Sequence, residues 1–164
     1  MIDNSAKTAI TRTKSSFPIK FLVDYGYLHG RVLHYGSGKD YKGTKLLETV
    51  ASVTCYDPTF APDKSVLVNG VYNSIVCNYV LNVLPYFKRR IVIEEMSNLS
   101  RLAFITVRTD CVNGTIHEDG VITKKGTFQK TYTKETLKED LRPFFWNVDV
   151  LYQNSWSLIA RAMN

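Results

Sequence analysis

The sequence has few cysteines and no pattern that would join them. Cys55, Cys77 and Cys111 are odd in number, contain no Cys-x-x-Cys pair and lie in or beside apolar segments. Disulfide frameworks and zinc sites need paired or regularly spaced cysteines, so neither is expected, and no metal site is predicted. The three cysteines are expected to be buried or idle thiols.

The sequence also lacks an apolar run long enough to cross a bilayer. The longest candidate, "SIVCNYVLNVL", is interrupted by Asn78 and Asn82, whereas a spanning helix needs about 20 apolar residues. The first fourteen residues, "MIDNSAKTAITRTK", are polar from the start and contain no apolar signal core. These absences predict a soluble, cytoplasmic protein with no membrane partner.

Length and composition indicate one domain. The chain has 164 residues, of which 45% are hydrophobic and 22% charged, as is ordinary for a globular protein. We expect 1–164 to form a single domain in which 1–15 is a flexible N-terminal segment. The net charge of +6 favours a polyanionic partner such as nucleic acid. The lysines and arginines are scattered, however, and the cluster at 88–90 could equally be a solvated helix face.

Short apolar runs rich in β-formers alternate with helix-like segments along the first two thirds of the chain. This alternation is typical of βαβ units and predicts an α/β fold with a mostly parallel sheet. The segment "TFAPDKSVLVNGVY" is too short and too broken by proline and glycine for a full helix, so the crossover after the second strand is expected to be a loop or a single turn. Strands are predicted at 30–36, 52–57, 73–80 and 101–110, and helices at 17–27, 41–50 and 85–100.

The last third of the chain has a different pattern. Residues 110–125 are polar and carry the turn signals "NGT" and "EDG", which predict a long loop that is functional or mobile. "GTFQKTY" is either a strand or the end of that loop. "TKETLKEDL" predicts a short helix with Thr133 as N-cap and Glu135 in its first turn. The C-terminal residues predict an antiparallel hairpin that turns at 153–155.

The stretch "VLHYGSGKD" at 32–40 runs from a predicted strand through Gly36-Ser37-Gly38 into a predicted helix. Such a turn places backbone N–H groups and a helix N-terminus against a ligand, and its missing Cβ atoms allow close approach. A plain strand-to-helix bend would have the same sequence. Asp57 follows Gly38 by nineteen residues, at the end of the next strand, where a nucleotide site places the carboxylate that binds ribose hydroxyls.

A third segment ends at the same edge of the predicted sheet. Asn78 and Tyr79 close the strand "IVCNYV". Because ligands of open α/β sheets bind in the crevice at the carboxyl ends of the strands, Asn78 is expected to face the same cleft as Gly36 and Asp57. The sequence therefore predicts one cleft built from three separate segments.

The stretches "VLHYGSGKD", "TCYDPTFAP" and "IVCNYVLNVLP", in this order and spacing, resemble class I S-adenosylmethionine-dependent methyltransferases, in particular small ones from phages and bacterial DNA-modification clusters. "TRTKSSFP", "ITVRTD" and "GTFQKTYT" are similar to the same group, so the resemblance covers about residues 8–135. It implies a Rossmann-like methyltransferase fold, S-adenosylmethionine as cofactor and methyl transfer as activity. For a phage protein it also implies the host cytoplasm.

The resemblance assigns a role to each matching position. Asp57 would hold the ribose, Tyr56 or Pro58 would lie beside the adenine, and Asn78 and Tyr79 would line the sulfonium and its methyl group. The residues that would bind the cofactor are His34, Tyr35, Gly36, Ser37, Gly38, Tyr56, Asp57, Pro58 and Asn78.

Two positions depart from the pattern of that family. His34 replaces the acidic residue that binds the cofactor's ammonium group, and Asp40 stands where a third glycine is often found. A neutral imidazole can accept a hydrogen bond from an ammonium, but a protonated one repels it. The ammonium could instead be held by Asp40, by Asp110 or by water. His34 could also be a strand-end histidine bonded to backbone, Asp57 a plain strand-end carboxylate and Asn78 a structural turn residue.

Methyl transfer from a sulfonium depends mainly on positioning and desolvation, so a catalytic signature is not required. The (D/N/S)-P-P-(Y/F) tetrapeptide of amino-directed DNA methyltransferases is replaced by "NYVL", and no cysteine follows a proline as in cytosine-C5 enzymes. These differences argue against adenine-N6 or cytosine-N4 methylation by the usual route and give no sign of cytosine-C5 chemistry. No target-recognition domain is expected either, so the acceptor is either nucleic acid selected by a partner protein or a small molecule. Candidates to orient it are Asn78, Tyr79, Arg108, Asp110, His117 and Gln129, although His117 could also be a solvated loop histidine.

Two other functions stay open. One is a non-catalytic module that keeps the cofactor fold and binds protein or nucleic acid through its basic surface. His34 and the reduced second crossover favour it. The other is an enzyme that cleaves S-adenosylmethionine instead of transferring its methyl group. The sequence makes no prediction of the oligomeric state.

Overall fold

The computed structural model describes residues 4–68 and 70–164, which form nine strands, five α-helices and two short 3-10 helices. The strands are β1 (Arg31–Tyr35), β2 (Ser52–Tyr56), β3 (Ser74–Asn78), β4 (Leu102–Arg108), β5 (Thr115–His117), β6 (Gly120–Ile122), β7 (Phe128–Gln129), β8 (Asn147–Gln153) and β9 (Ser157–Met163). The helices are α1 (Phe17–Asp24), α2 (Tyr41–Leu47), α3 (Ser65–Val68), α4 (Tyr86–Leu99) and α5 (Lys134–Leu141), with 3-10 turns at Ser5–Thr8 and Leu81–Val83.

A six-stranded sheet in the order β2-β1-β3-β4-β9-β8 forms the centre of the molecule. Strands β1 to β4 pair in parallel, and β9 pairs antiparallel with both β4 and β8. The prediction of a mostly parallel α/β sheet with a C-terminal antiparallel hairpin is therefore confirmed. The chain passes from β1 outward to β2 and then returns to the other side of β1, so the strand order reverses between β1 and β3. Such a reversal opens a crevice at the carboxyl ends of the strands.

The connections between the strands follow the sequence signals. Pro18 lies in the first turn of α1, where its missing N–H costs no hydrogen bond. Helix α3 is a single turn, so the crossover after β2 is reduced, as predicted. Thr133 caps α5 by accepting a hydrogen bond from the Thr136 backbone N–H at 3.2 Å, and Glu135 lies in the first turn. The reduced crossover leaves the cleft beside β2 without a full-length helix.

The segment 110–125 differs from its prediction as a long loop. Strands β5 and β6 lie within it and form a three-stranded antiparallel sheet with β7. The predicted "EDG" turn is the hairpin bend between β5 and β6, where Glu118 adopts a positive φ of 51°. These strands have two or three residues each, which is too few for alternation to show in the sequence. "GTFQKTY" contains a strand, the first of its two predicted alternatives.

Two apolar layers cover the two faces of the central sheet. One contains Ile93 and Met96 of α4 with Leu137 and Leu141 of α5, and the other contains residues of α1 and α2. Because side chains alternate along a strand, successive residues of β1 enter opposite layers. Leu33 lies in the α4–α5 layer. Burying one such leucine contributes about 1.5–3 kcal/mol, so both layers stabilise the sheet strongly.

A buried polar network joins the small sheet to α4 and α5. The fully buried Arg89 guanidinium pairs with Asp140 at 2.9 Å and with Asp119 of the β5–β6 turn. The Lys130 ammonium lies 2.8 Å from Asp119 and 3.2 Å from Asp140, and the Tyr132 hydroxyl donates to Asp140 at 2.8 Å. Each cation therefore has both carboxylates as partners, as buried charges require. The network fixes β7 against the main domain.

Among residues 4–68 and 70–164, no helix combines the length and apolar character needed to span a membrane. The three cysteines are free, and Cys77 is buried. Burial raises the pKa of the Cys77 thiol to about 12, so this thiol is inert. Cys111 is exposed, which leaves it an idle thiol and not a core residue.

Candidate active site

A cavity of about 720 Å³ opens at the carboxyl ends of β1 to β4, where the strand order reverses. Ligand pockets commonly have volumes of about 300–1,000 Å³, so this cavity is large enough for a cofactor. Most residues predicted to form the site line it, namely Tyr35, Gly36, Ser37, Gly38, Asp40, Tyr56, Asp57, Pro58, Asn78, Tyr79, Arg108, Asp110 and Gln129. His34 and His117 are not part of the cavity wall.

The glycine turn is bound to the end of β2 through its own amides. The backbone N–H groups of Gly36 and Ser37 donate to the Tyr56 carbonyl at 2.7 and 3.1 Å, and that of Gly38 donates to Asp57 Oδ2 at 3.0 Å. The expectation that these amides face a ligand is therefore wrong. Their bonds hold the turn in place, and Gly36, Ser37 and Gly38 all line the cavity.

Gly36 shows why this turn needs glycine. Its φ is +67°, and an added Cβ would lie 2.3 Å from Val80 Cγ2. Gly38 also has a positive φ, of +52°. A side chain is strained in this conformation and would clash at Gly36. Glycine is thus required at position 36 both by the backbone conformation and by the contact with Val80.

Asp57 is the organising carboxylate of this part of the cavity. Its Oδ2 accepts from Gly38, and its Oδ1 accepts from the backbone N–H groups of Thr59 and Phe60 at 2.9 and 3.0 Å. The carboxylate thus points toward the glycine turn and fixes the loop after β2. Because a carboxylate offers about four acceptor sites, three amide bonds leave it able to accept a further donor.

His34 lies behind the cavity. Alternation along β1 turns its ring toward α2, where Nδ1 lies 3.0 Å from the Thr44 hydroxyl. Burial lowers the pKa of His34 to about 4, against the opposing effect of the Asp40 and Asp57 carboxylates. The ring is thus neutral at pH 7 and is bonded to a side chain, not to the backbone. The structure does not bring His34 to the place where the family's acidic residue would meet an ammonium group.

Helix α4 forms a wall of the cavity that was not predicted from the sequence. Lys88, Ile91, Val92 and Glu95 lie on one face of the helix and line the cavity. Glu95 accepts a hydrogen bond from the Tyr35 hydroxyl. Burial, helped by this carboxylate, raises the pKa of Tyr35. Along the sequence, Lys88 and Glu95 each lie three or four residues from Ile91 and Val92, which places all four residues on one helix face. This spacing is the sequence signal that could have identified the wall.

The opposite side of the cavity carries side-chain amides. The Asn78 Nδ2 donates to the Ser16 hydroxyl at 2.9 Å, while its Oδ1 is buried without a partner. Asn82, in the 3-10 turn after β3, is fully buried, and its Nδ2 lies 3.4 Å from Gln129 Oε1. The Asn82 Oδ1 is also without a partner. In the sequence, Asn82 is recognisable only as an interruption of an apolar run.

The turn after β3 and the end of β4 complete this side. Tyr79 has a positive φ of 59°, which is unusual for a tyrosine, and its N–H donates to the Thr106 carbonyl at 2.8 Å. Such a conformation persists only where the surrounding structure holds it. The Arg108 guanidinium donates to both carboxylate oxygens of Asp110, through Nε at 2.9 Å and through a terminal nitrogen. This pairing lowers the pKa of Asp110.

The described part of the N-terminal segment crosses the mouth of the cavity. Asn4 Nδ2 donates to the Gly126 carbonyl at 3.1 Å, and Ala9 lies beside Gly38. The lining includes Ser5, Ala6, Thr8, Ala9, Ile10 and Arg12. Flexibility of 1–15 stays a prediction, and 1–3 lie outside the described residues.

His117 lies in the small sheet, away from the cavity. Its ring packs edge-on against Phe128 with a centroid separation of 6.5 Å, and its Nε2 is 3.7 Å from Glu118 Oε1. About 39% of the side chain is exposed. This position agrees with the alternative interpretation of His117 as a solvated histidine. Among the residues that the structure describes, no group of three or more histidines, cysteines or carboxylates could hold a metal.

No protein-family model and no curated protein matches the sequence. The fold is similar to that of solved structures. A 1,6-didemethyltoxoflavin-N1-methyltransferase of Burkholderia thailandensis, with 1,6-didemethyltoxoflavin and S-adenosylhomocysteine bound, is 14% identical with a TM-score of 0.64, over 99% of this chain and 79% of that one. DhpI, in complex with S-adenosylhomocysteine, is 18% identical with a TM-score of 0.63, over 88% and 81%.

A third similar structure carries a different name. A protein named as a Zn-dependent alcohol dehydrogenase of Rhodobacter sphaeroides is 12% identical with a TM-score of 0.63, over 99% of this chain and 96% of that one. At these identities the similarity establishes the fold alone. The chain has the Rossmann-like fold found in these methyltransferases, and its chemistry has to be argued from the site.

Proposed function

We propose that the protein is a methyltransferase that uses S-adenosylmethionine as its methyl donor. The observation that carries this proposal is the contact between Asp57 and the glycine turn, at the edge of a cavity of about 720 Å³. The carboxylate lies beside Gly38 at the cavity wall, where it can still accept from ribose hydroxyls. The fold shared with structures that hold S-adenosylhomocysteine supports the same conclusion.

The hydrogen bonds of the glycine turn favour this cofactor over a dinucleotide. A pyrophosphate needs free backbone N–H groups at the turn and the N-terminus of the following helix. Here the amides of 36–38 are bonded to β2 and to Asp57, and the side chain of Asp40 caps α2 by accepting from Gly43 at 2.9 Å. A cofactor without phosphates has no need of those amides. The residues present therefore fit S-adenosylmethionine better than a nicotinamide dinucleotide.

The proposed roles are those that the resemblance to class I methyltransferases implies, at residues that line the cavity. Asp57 accepts from the ribose hydroxyls, Tyr56 or Pro58 lies beside the adenine, and Tyr35 to Gly38 enclose the methionine end. Asn78 and Tyr79 line the sulfonium. When bound, the cofactor supplies a methyl group on a sulfonium that is already activated for displacement, so the chain has to position the acceptor and exclude water.

The ammonium of the methionine end needs a partner other than His34. Asp40 and Asp110 both line the cavity. Asp40 already caps α2 through one oxygen, and Asp110 is bonded to Arg108 through both. The second oxygen of Asp40 is the simpler acceptor, because it does not compete with an ion pair.

The methyl acceptor is proposed to be either nucleic acid or a small molecule. Asn78, Tyr79, Arg108, Asp110 and Gln129 line the cavity and would orient it. The net charge of +6 favours nucleic acid chosen with a partner protein, and a small molecule would fit the enclosed volume. A phage or DNA-modification origin and a cytoplasmic location belong with the first alternative.

Calorimetric titration with S-adenosylmethionine and S-adenosylhomocysteine tests the proposal. The wild-type protein should bind both, and Asp57→Ala should weaken binding at least about 100-fold, because a charged hydrogen-bond acceptor is lost together with the loop that it holds. Asp63→Ala is the matched control. Asp63 accepts from Ser65 in the same loop, away from the glycine turn, so this variant should bind like wild type.

The position of His34 favours one alternative, a non-catalytic module that keeps the fold. Absence of binding at millimolar concentrations of either ligand would contradict the methyltransferase proposal and support this alternative. Breakdown of S-adenosylmethionine without a methylated product would instead indicate an enzyme that cleaves the cofactor.

A further inference from the structure

The N-terminal segment 4–15, which we call the strap, covers the cavity without joining the core. None of its residues is buried. Six of them nevertheless line the cavity, namely Ser5, Ala6, Thr8, Ala9, Ile10 and Arg12. Segments with few buried contacts open at a low free-energy cost. The strap can therefore move while the core stays folded.

Contacts near its two ends fix the course of the strap over the cavity. The Ala9 Cβ lies beside Gly38, 3.5 Å from the place that a Cβ of that residue would take. Ser16, directly after the strap, accepts from Asn78 Nδ2 at 2.9 Å. Arg12 stands between these contacts, so its Cα is at most about 11 Å from that of Ala9 and about 14 Å from that of Ser16. This part of the strap thus runs between the glycine turn and the end of β3.

The Arg12 guanidinium has no partner in the fold. The residue is half-buried in the cavity wall, and within 4–68 and 70–164 it makes no hydrogen bond or ion pair. A partly buried charge without a counter-ion is costly. An arginine offers five N–H donors in a planar fork that matches a carboxylate. The side chain therefore favours an anionic ligand.

The other cations of the cavity wall are engaged or belong to another part of it. Lys39 Nζ lies 5.1 Å from the centre of an aromatic ring in the loop after β2. Arg108 donates to both carboxylate oxygens of Asp110. Lys64 and Lys88 belong to the wall formed by α4 and the residues before α3. This leaves Arg12 as the cation that the strap carries between the glycine turn and β3.

The proposed cofactor has one anionic group, the carboxylate of its methionine end. The amides of the glycine turn cannot bind it, because they are bonded to the Tyr56 carbonyl and to Asp57. The second oxygen of Asp40 is the acceptor proposed for the neighbouring ammonium. The carboxylate therefore needs a cationic side chain, and the methionine end would lie between the glycine turn and Asn78, where the strap passes.

We propose that Arg12 binds the carboxylate of the methionine end and thereby holds the strap over the bound cofactor. The inference rests on the proposed function, because it adds a residue to the same cofactor site. The ligand supplies the counter-ion that the fold does not. The site then selects the intact cofactor over adenosyl compounds that lack the carboxylate.

Calorimetry with two ligands tests this ion pair. S-adenosylhomocysteine carries the carboxylate, and decarboxylated S-adenosylhomocysteine lacks only that group. Arg12→Gln should weaken binding of the first ligand about 10- to 100-fold, as expected for a charge-assisted hydrogen bond, and leave binding of the second unchanged. Lys14→Gln is the matched control. Lys14 is an exposed cation of the same strap that does not line the cavity, so this variant should bind both ligands like wild type.

Amide hydrogen exchange measures the closure of the strap. In the wild type and in Lys14→Gln, saturating S-adenosylhomocysteine should slow exchange in 5–15 about tenfold. The decarboxylated ligand should not slow it, and neither ligand should do so in Arg12→Gln. Exchange in β5 and β6, which do not line the cavity, should stay unchanged throughout. Arg12→Lys keeps the charge but loses the planar fork, so it should restore part of the affinity.

The outcomes separate this inference from the proposed function. Equal losses for the two ligands in Arg12→Gln would overturn the inference, because the arginine would then act without the carboxylate. An equal loss in Lys14→Gln would also overturn it, since only the net charge of the strap would matter. Strap exchange that slows equally with both ligands would contradict the closure. These three results leave the methyltransferase proposal standing, whereas a wild type that binds neither ligand contradicts that proposal and the inference together.

Discussion

The two sides of the cavity differ in how their hydrogen bonds are satisfied. On the side of β1 and β2, formed by 35–40 and 56–60, the amides of the glycine turn and the Asp57 carboxylate bond to one another. On the side of β3 and β4, formed by 78–82 and 108–110 with Gln129, two buried amide oxygens have no partner. We refer to these as the β1–β2 side and the β3–β4 side.

The difference indicates how the two sides work. The β1–β2 side is complete before a ligand arrives, so it can act as a fixed seat for a cofactor whose shape does not vary. The β3–β4 side is incomplete, so a second molecule would satisfy it only on binding. A preorganised side binds a ligand at a lower ordering cost. The following predictions test this contrast, beginning with the largest effect.

The largest effect is expected from the network that supports the β3–β4 side. Asp140→Asn leaves Arg89 and Lys130 with Asp119 alone, and removal of one partner from a buried ion pair costs about 3–5 kcal/mol. Urea unfolding measures this loss. Asp149→Asn is the control, because Asp149 pairs with Arg161 at 2.9 Å where both side chains are more than a third exposed. It should cost about 1 kcal/mol or less. Equal losses for the two variants would mean that the network does not support this side.

The next effect concerns the glycine turn on the β1–β2 side. Gly36→Ala places a Cβ against Val80 at a positive φ and should cost about 2–4 kcal/mol, from strain and overpacking together. Gly26→Ala is the control, since Gly26 has the same φ of +67° but nothing within 4 Å. It should cost only about 1 kcal/mol. Unfolding measures stability, and calorimetry should find S-adenosylhomocysteine binding reduced in Gly36→Ala alone. Unchanged binding there would show that the turn is a structural bend.

The smallest effect is a pH dependence that arises behind the β1–β2 side. The pKa of His34 is lowered from 6.5 to about 4 by burial, so the unfolded chain takes up a proton before the folded one as the pH falls. Stability is thus full above pH 6.5 and declines between pH 6.5 and about 4, by up to about 3 kcal/mol. His34→Gln should flatten this part of the curve of unfolding free energy against pH. The exposed His29→Gln should leave it unchanged. The same slope in all three proteins would mean that His34 is not the titrating group.

Much of the fold could be predicted from local pattern. Pro18 marked the start of α1 and Thr133 the cap of α5, because these residues act through their own backbone or that of near neighbours. The hairpin turn was predicted at 153–155 and lies one residue later, between Gln153 at the end of β8 and Ser157 at the start of β9. The small sheet of β5 to β7 could not be predicted. Its strands are too short for periodicity, and the ion pairs of Arg89 and Lys130 that hold it come from distant parts of the chain.

The site was predictable only in part, for a similar reason. The meeting of Gly38 with Asp57 follows from parallel strands that end at one edge of a sheet. The His34 side chain points away from that edge because its face of β1 packs against α2, and the sequence does not show which face that is. The unmet oxygen of Asn82 depends on where β7 brings Gln129. Neither partner is marked by spacing in the sequence.

The sequence by itself therefore determined the order of the strands and helices of the central sheet, the helix caps, and the edge of the sheet at which Gly36, Asp57 and Asn78 would meet. The tertiary structure decided which hydrogen bonds each of these residues makes within the fold and which buried polar atoms have no partner. The physical reason is that propensity and periodicity act over a few neighbouring residues. The satisfaction of a buried polar atom depends on whichever distant residue the packing brings within about 3 Å.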